Sequence, residues 1–207
     1  MTEKKLVTEE AQGRSVHVDS EEGMLLVELR SGSSIGFDRV YEAYRPRIYA
    51  FLLRMTGSSA LAEDLLQEAF IKLATKACAL AEDTNVKAWL FTVARNSVIS
   101  HMRWRAAQSR SLEALGAVRG EEASLTPQHA AEFAETHARL ETALASLAPK
   151  YREVLLLVAV EGLSPSEAAE VIGIKSDALR QRLARARQEM SRVLESEPRR
   201  HQRRKAK

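Results

Sequence analysis

The sequence predicts an all-α protein, two small helical domains joined by a flexible linker, the second containing a helix-turn-helix. Three observations carry this. Only 9 glycines and 5 prolines punctuate 207 residues, while Ala, Leu, Glu and Arg abound, a composition that favours helix throughout. From Phe37 onward, apolar residues recur at spacings of three and four, the period of an amphipathic helix. Finally, LSPSEAAEVIGIKSDALRQRLARAR at 163–187 reads as a capped helix, a sharp turn and a second helix loaded with arginine.

Residues 1–36 carry seven acids and four bases and read as a flexible acidic arm. Its one short apolar run, Met24 to Leu29, leaves room for one short element, and RSGSSIG at 30–36 reads as a loop. The first domain spans 37–108. Tyr41, Tyr44, Ile48, Phe51, Leu52 and Met55 share a helical period, and Pro46 is expected to separate two helices or start the second. Gly57 ends that segment, and Ser58 or Ser59 caps a helix with Leu61, Leu65, Leu66, Ala69, Phe70 and Leu73 on its apolar side. Residues 77–86 read as a loop. A long helix follows over about 85–107, with Leu90, Val93, Ala94, Val98 and Met102 facing inward. Trp89 and Phe91 are expected in the core because their neighbours are apolar.

Residues 109–130 lose periodicity and collect Ser, Gly, Thr126 and Pro127, the composition of a linker. The second domain, 131–195, comprises helices at 131–146 and 149–160 and then the helix-turn-helix. There Ser164 is placed to cap, Pro165 to open the helix, and Glu167 to complete a capping box. Ala169 permits close helix crossing, and Gly173 supplies a left-handed turn. Ile174, Leu179, Leu183 and Ala186 pin the second helix to the first. Residues 196–207 have no apolar face and read as a disordered basic tail.

The net charge of +3 is unevenly spread. Residues 175–207 hold twelve bases against four acids, and no acid occurs between Asp83 and Glu113, where Lys87, Arg95, Arg103, Arg105 and Arg110 lie. Two basic zones imply two contacts with a polyanion. No run of about 18 apolar residues spans a membrane, and no signal pattern opens the chain, so a cytoplasmic location is expected. The single Cys78 has no disulfide partner, and the five histidines are scattered without metal-ligand spacing. No Gly-rich phosphate loop is present, and glutamate-rich stretches read as solvated helix faces. Neither a cofactor, a metal nor an enzymatic activity is expected.

Two helical stripes carry polar chemistry. Asp64, Gln67, Glu68 and Ile71 fall at i, i+3, i+4 and i+7, away from most of the apolar set. On spacing alone this stripe reads as a solvated face with i, i+4 pairs to Lys72, worth about 0.3–0.5 kcal/mol. Asn96, Ser100 and Arg103 share another face within the acid-free interval, with side chains able to bond bases, sugars or phosphates.

AEDLLQEAFIKL at 62–73, AWLFTVARNSVISHMRWR at 88–105, and the segments YREVLLL at 151–157, EGLS at 161–164, EAAEVIGI at 167–174 and LRQRLARAR at 179–187 occur in one order. Together they resemble the extracytoplasmic-function sigma factors of bacterial RNA polymerase. The match covers nearly everything from Phe37 to Leu194.

The resemblance implies core RNA polymerase and promoter DNA as partners, and an anti-sigma factor or other regulator. It implies that Asp64, Gln67 and Glu68 dock on the clamp helices of the largest polymerase subunit. It places −10 recognition on Asn96, Ser100 and Arg103 and on the preceding loop, where Asp83, Thr84 and Asn85 supply polar groups for a flipped base. It places −35 reading on Arg180, Gln181 and Arg185, with Arg182 and Arg187 on phosphates or in salt bridges. Ser100 stands where the family often has Asp, Lys175 replaces a small capping residue, and Ala178 replaces a usual Thr. Trp104 stands where a basic residue is usual; it either stacks on an unpaired base or covers the helix end. The rival reading is a free-standing helix-turn-helix transcription regulator, which has no use for the 64–68 stripe.

Overall fold

The computed structural model describes residues 21–113 and 133–196, and all of its regular elements are helical. In chain order they are α1 (Glu21–Arg30), α2 (Ser34–Thr56), α3 (Ser59–Lys76), a 3-10 turn (Ala77–Ala79) and α4 (Val86–Glu113). The second domain holds α5 (Phe133–Ser146), α6 (Pro149–Leu155), a π turn (Leu156–Val160), α7 (Pro165–Ile172) and α8 (Ser176–Ser196). Residues 1–20, most of the expected linker and the basic tail lie outside the described residues.

Ser33 caps α2 through its side chain, and Gly57 closes it in the left-handed region, returning its N–H to Leu53. Ser58 caps α3 by accepting from the Leu61 N–H. Pro46 sits inside an unbroken α2, so the expected split does not occur. Pro46 and Glu42, whose carbonyl its missing N–H would have served, are both exposed, where water can satisfy that carbonyl.

Three further expectations are corrected. The one short element allowed in the arm is α1, but it is docked rather than flexible, with Leu25, Leu26 and Leu29 buried in the core, and the expected loop at 30–36 narrows to a turn at Ser31–Ser33. Apolar burial outweighs the acidic composition there: Leu25 and Leu29 lie one turn apart and meet α2. Helix α4 runs on to Glu113, past the expected linker start. Met102 is exposed, whereas Leu90, Phe91, Ala94 and Val98 are fully buried.

One hydrophobic cluster runs from α1 through α2, α3 and α4 into α6, α7 and α8. Phe51 and Phe91 meet edge to face with ring centres 5.3 Å apart, locking α2 to α4. Helix α7 packs on α4, and α6 touches α2, so the two helical groups share an interface.

Candidate nucleic-acid interface

On α3, burial of Ala62, Leu65, Leu66, Ala69, Phe70 and Leu73 forces the intervening residues outward. Asp64, Gln67, Glu68 and Ile71 are all exposed. Glu68 pairs with Lys72, which also reaches the Ser97 hydroxyl on α4 at 3.4 Å. Ile71 is 63% exposed beside these acids, an apolar contact surface on a polar rim.

The loop before α4 begins after the buried Leu80. The Thr84 N–H returns to the Ala81 carbonyl at 3.1 Å, leaving Asp83 exposed. Asn85 caps α4, its side-chain oxygen accepting from the Ala88 N–H at 2.8 Å. Its side-chain amide donates to Glu167 on α7, also at 2.8 Å. Farther along α4, Asn96, Ser100, Arg103 and Trp104 stand exposed in a row. Arg95, one residue from that row, pairs with Glu153 on α6 and also donates to the Asn96 side-chain oxygen at 3.5 Å.

The helix-turn-helix forms as its sequence predicts. Ser164 and Glu167 make both bonds of the capping box. Gly173 takes φ 74°, and its N–H reaches the carbonyls of Ala169 and Glu170. Leu179, Leu183 and Ala186 are buried under α8, with Ile174 half-buried beside them. This presents Arg180, Gln181 and Arg185 to solvent with Arg187, while Arg182 is half-buried. Arg180 donates to Asp177 at 2.8 Å; such an exposed pair is worth at most about 1 kcal/mol and yields readily to a phosphate or base.

Thus the exposed candidates form three surfaces: the α3 stripe, the loop and outer face of α4, and the outer face of α8. The family model described as Sigma-70 region 2 matches residues 40–108, and that described as Sigma-70, region 4 matches residues 137–190. The chain is 33% identical over 153 residues to the ECF RNA polymerase sigma factor SigM of Bacillus subtilis, across 74% of this chain and 91% of SigM. The chain belongs to the extracytoplasmic-function sigma factors. It is also 31% identical to the RNA polymerase sigma factor CarQ of Myxococcus xanthus, across 80% of this chain and 92% of CarQ. Its fold is similar to that of the sigma factor RpoE of Bartonella quintana, solved in complex with the anti-sigma factor NepR. That similarity has a TM-score of 0.68 at 28% identity, over 77% of this chain and 96% of RpoE. Both sigma modules occur in family order, so the protein acts as an RNA polymerase sigma factor, and a free-standing regulator is not favoured.

The sequence reading missed a set of residues that the sigma-factor fold brings together. Glu153 and Glu161, read as solvated, are each only 5% exposed. Arg47 of α2 donates to the Glu161 carboxylate and to its main-chain carbonyl, both at 2.9 Å. Arg54 grips Glu141 of α5 at 2.7 to 3.0 Å, a bond that raises the pKa of the Arg54 guanidinium. Arg152 donates back to the Arg54 carbonyl at 3.0 Å. No local signal marks these pairs, whose partners lie 58 to 114 residues apart in sequence.

Proposed function

We propose that this sigma factor docks on core RNA polymerase through Asp64, Gln67 and Glu68, and reads a bipartite promoter with two helices. Asn96, Ser100 and Arg103, with Asp83, Thr84 and Asn85 from the loop, engage the −10 element. Arg180, Gln181 and Arg185 engage the −35 element in the major groove. The observation that carries this reading is the outward orientation of Asp64, Gln67 and Glu68, of Asn96, Ser100 and Arg103, and of Arg180, Gln181 and Arg185 on three separate helices, each set turned out by burial of the opposite face. Each reader alone is weak; tethered to one polymerase they act as a bivalent binder. The bond-making chemistry is the polymerase's, so the chain needs no cofactor or catalytic group of its own and works in the cytoplasm, where polymerase and DNA are. The solved complex of RpoE with NepR supports an anti-sigma factor as a further partner.

The test is reconstitution with core polymerase and run-off transcription from a library of promoters. The double variant Asp64→Ala/Gln67→Ala is expected to lose competition against another sigma factor for core polymerase, with its helical content unchanged. Full competitive strength in that variant would remove the docking role. Promoter binding and regulation without polymerase would replace the reading with that of a free-standing regulator.

A further inference from the structure

We infer that Arg30, the last residue of α1, is a positioning residue for the loop before α4. By holding Glu82 it sets how the loop presents its polar groups, and so which base the loop prefers. This role rests on the reading of Asp83, Thr84 and Asn85 as −10 contacts. Arg30 lies ahead of residues 40–108, which the Sigma-70 region 2 model matches, and it belongs to none of the three outward-facing surfaces.

The end of α1 is fixed before it meets the loop. Leu25, Leu26 and Leu29 are buried, so the helix cannot turn without exposing apolar surface. The Ser31 N–H bonds the Val27 carbonyl at 3.1 Å, and the Gly32 N–H bonds the Leu29 carbonyl at 3.2 Å. Gly32 takes φ 74°, and a Cβ on it would lie 3.7 Å from the Cys78 Sγ. Helix α1 thereby rests on the 3-10 turn at 77–79, from which the loop departs.

The loop itself has little to stiffen it. Ala81 to Thr84 form a four-residue turn closed by the single hydrogen bond from the Thr84 N–H to the Ala81 carbonyl. Burial of Leu80 anchors its start, and Asn85 anchors its end as the cap of α4. Glu82 and Asp83 are the two central residues of the turn, and both are exposed. Between the anchors, Arg30 reaches in from α1 and places its Nη1 3.2 Å from the Glu82 Oε1.

The Glu82 side chain is 85% exposed, so the pair adds little to stability. Its effect is geometric. Fixing the residue beside Asp83 sets the direction in which Asp83 and Thr84 point. The cation also offsets a carboxylate that would otherwise face the phosphates of DNA. The Arg30 Nε is buried and has no hydrogen-bond partner among the described residues. That burial costs free energy, and α1 alone does not require it, because a cation can complement the end of a helix from full exposure. The cost goes with placing the guanidinium against the loop.

Two variants separate positioning from charge. Arg30→Ala removes a cation and Glu82→Gln removes an anion, so charge alone would weaken DNA binding in the first and strengthen it in the second. Positioning predicts the same change in both. Preference at the base position read by the loop is expected to fall roughly two- to fivefold, the scale of one exposed ion pair. The measurement is run-off transcription by the reconstituted holoenzyme from promoters randomised across the −10 element, normalised to the holoenzyme formed. Because Glu82 is exposed, Glu82→Gln tests the role even where Arg30→Ala loosens α1. Wild-type −10 preference in Glu82→Gln overturns the inference, as do changes of opposite sign in the two variants that apply equally to every −10 sequence. The loop variant Asp83→Ala/Asn85→Ala tells this failure from that of the −10 reading. If the loop variant also keeps wild-type preference, the reading has failed and the role of Arg30 falls with it. If the loop variant loses preference and Glu82→Gln keeps it, the reading stands and Arg30 has no part in it.

Discussion

The indole of Trp104 lies 5.9 Å from the imidazole of His101, the two rings tilted at 46° on the outer side of α4. Trp104 is 59% exposed, so it does not close the helix end into a core. It stands one turn beyond Ser100, in the interval that carries no acid. An exposed aromatic ring in positive potential is a platform for an unpaired base, worth about 1–3 kcal/mol. Trp104→Ala is therefore expected to reduce open-complex formation roughly five- to a hundredfold, with Trp104→Phe recovering part of the loss. Fluorescence of 2-aminopurine placed along the non-template −10 strand measures it. A variant that melts earlier but opens promoters normally would mark Trp104 as structural.

Arg180 and Arg185 face the solvent from the first half of α8. A bidentate contact to a guanine edge discriminates by about 1–3 kcal/mol. Arg180→Ala and Arg185→Ala are each expected to relax preference at one position of the upstream element and to spare promoters that do not depend on it. Run-off transcription from an upstream-element library reads this out. A uniform loss over all upstream sequences would reassign these side chains to phosphates.

Much of the fold was legible because its signals are local. The Ser164 and Glu167 capping box, the Gly173 turn and the Leu179, Leu183 and Ala186 stripe lie within a few residues of one another. The α3 stripe was legible for the same reason, since burial of one helical face dictates the other. Helix α1 was obscured because four of the ten residues in EEGMLLVELR are charged, while Leu25, Leu26 and Leu29 gain their value only once α1 docks on α2 and the 3-10 turn. Pro46 misled because its cost depends on whether water reaches the carbonyl it strands. The ion pairs of Arg47, Arg54 and Arg95 were invisible for a different reason. A glutamate paired across the chain and one facing solvent have the same sequence, and only the packing of α5 and α6 against α2 and α4 distinguishes them.

The docking of α1 gives a stability prediction. A Cβ on Gly36 would lie 2.6 Å from the Glu28 carbonyl carbon and 2.8 Å from its oxygen, main-chain atoms that cannot swing aside. Arg39 also grips both Glu28 oxygens at 2.8 Å, so α1 has little freedom to retreat. Gly36→Ala is expected to cost about 1–3 kcal/mol, in the range of other overpacking changes. Thermal unfolding gives the magnitude, and hydrogen exchange is expected to rise first across residues 22–30. A neutral effect on both would mean that α1 can rest elsewhere.

Tyr44 gives a prediction in alkali. Burial, with the Glu22 carboxylate beside it, pushes the phenol up from 10.0 to about 12, against the opposing pull of Arg47. The folded state therefore holds the phenolic proton more tightly than the unfolded chain. That contribution is fully present below about pH 10 and is lost as pH rises from there to about 12. A shift of this size corresponds to at most about 2–3 kcal/mol. Tyr44→Phe keeps the ring, including the face over which the Arg47 guanidinium sits at 5.7 Å, but has no proton to lose. Relative to the wild type, the Phe variant is expected to gain stability steadily across that alkaline window and to show no such gain near neutrality. Denaturant unfolding of both proteins at matched pH isolates the difference from the lysines, which titrate alike in each. Parallel stability curves across the window would mean that the phenol ionises as easily folded as unfolded, and that burial against α1 does not govern it.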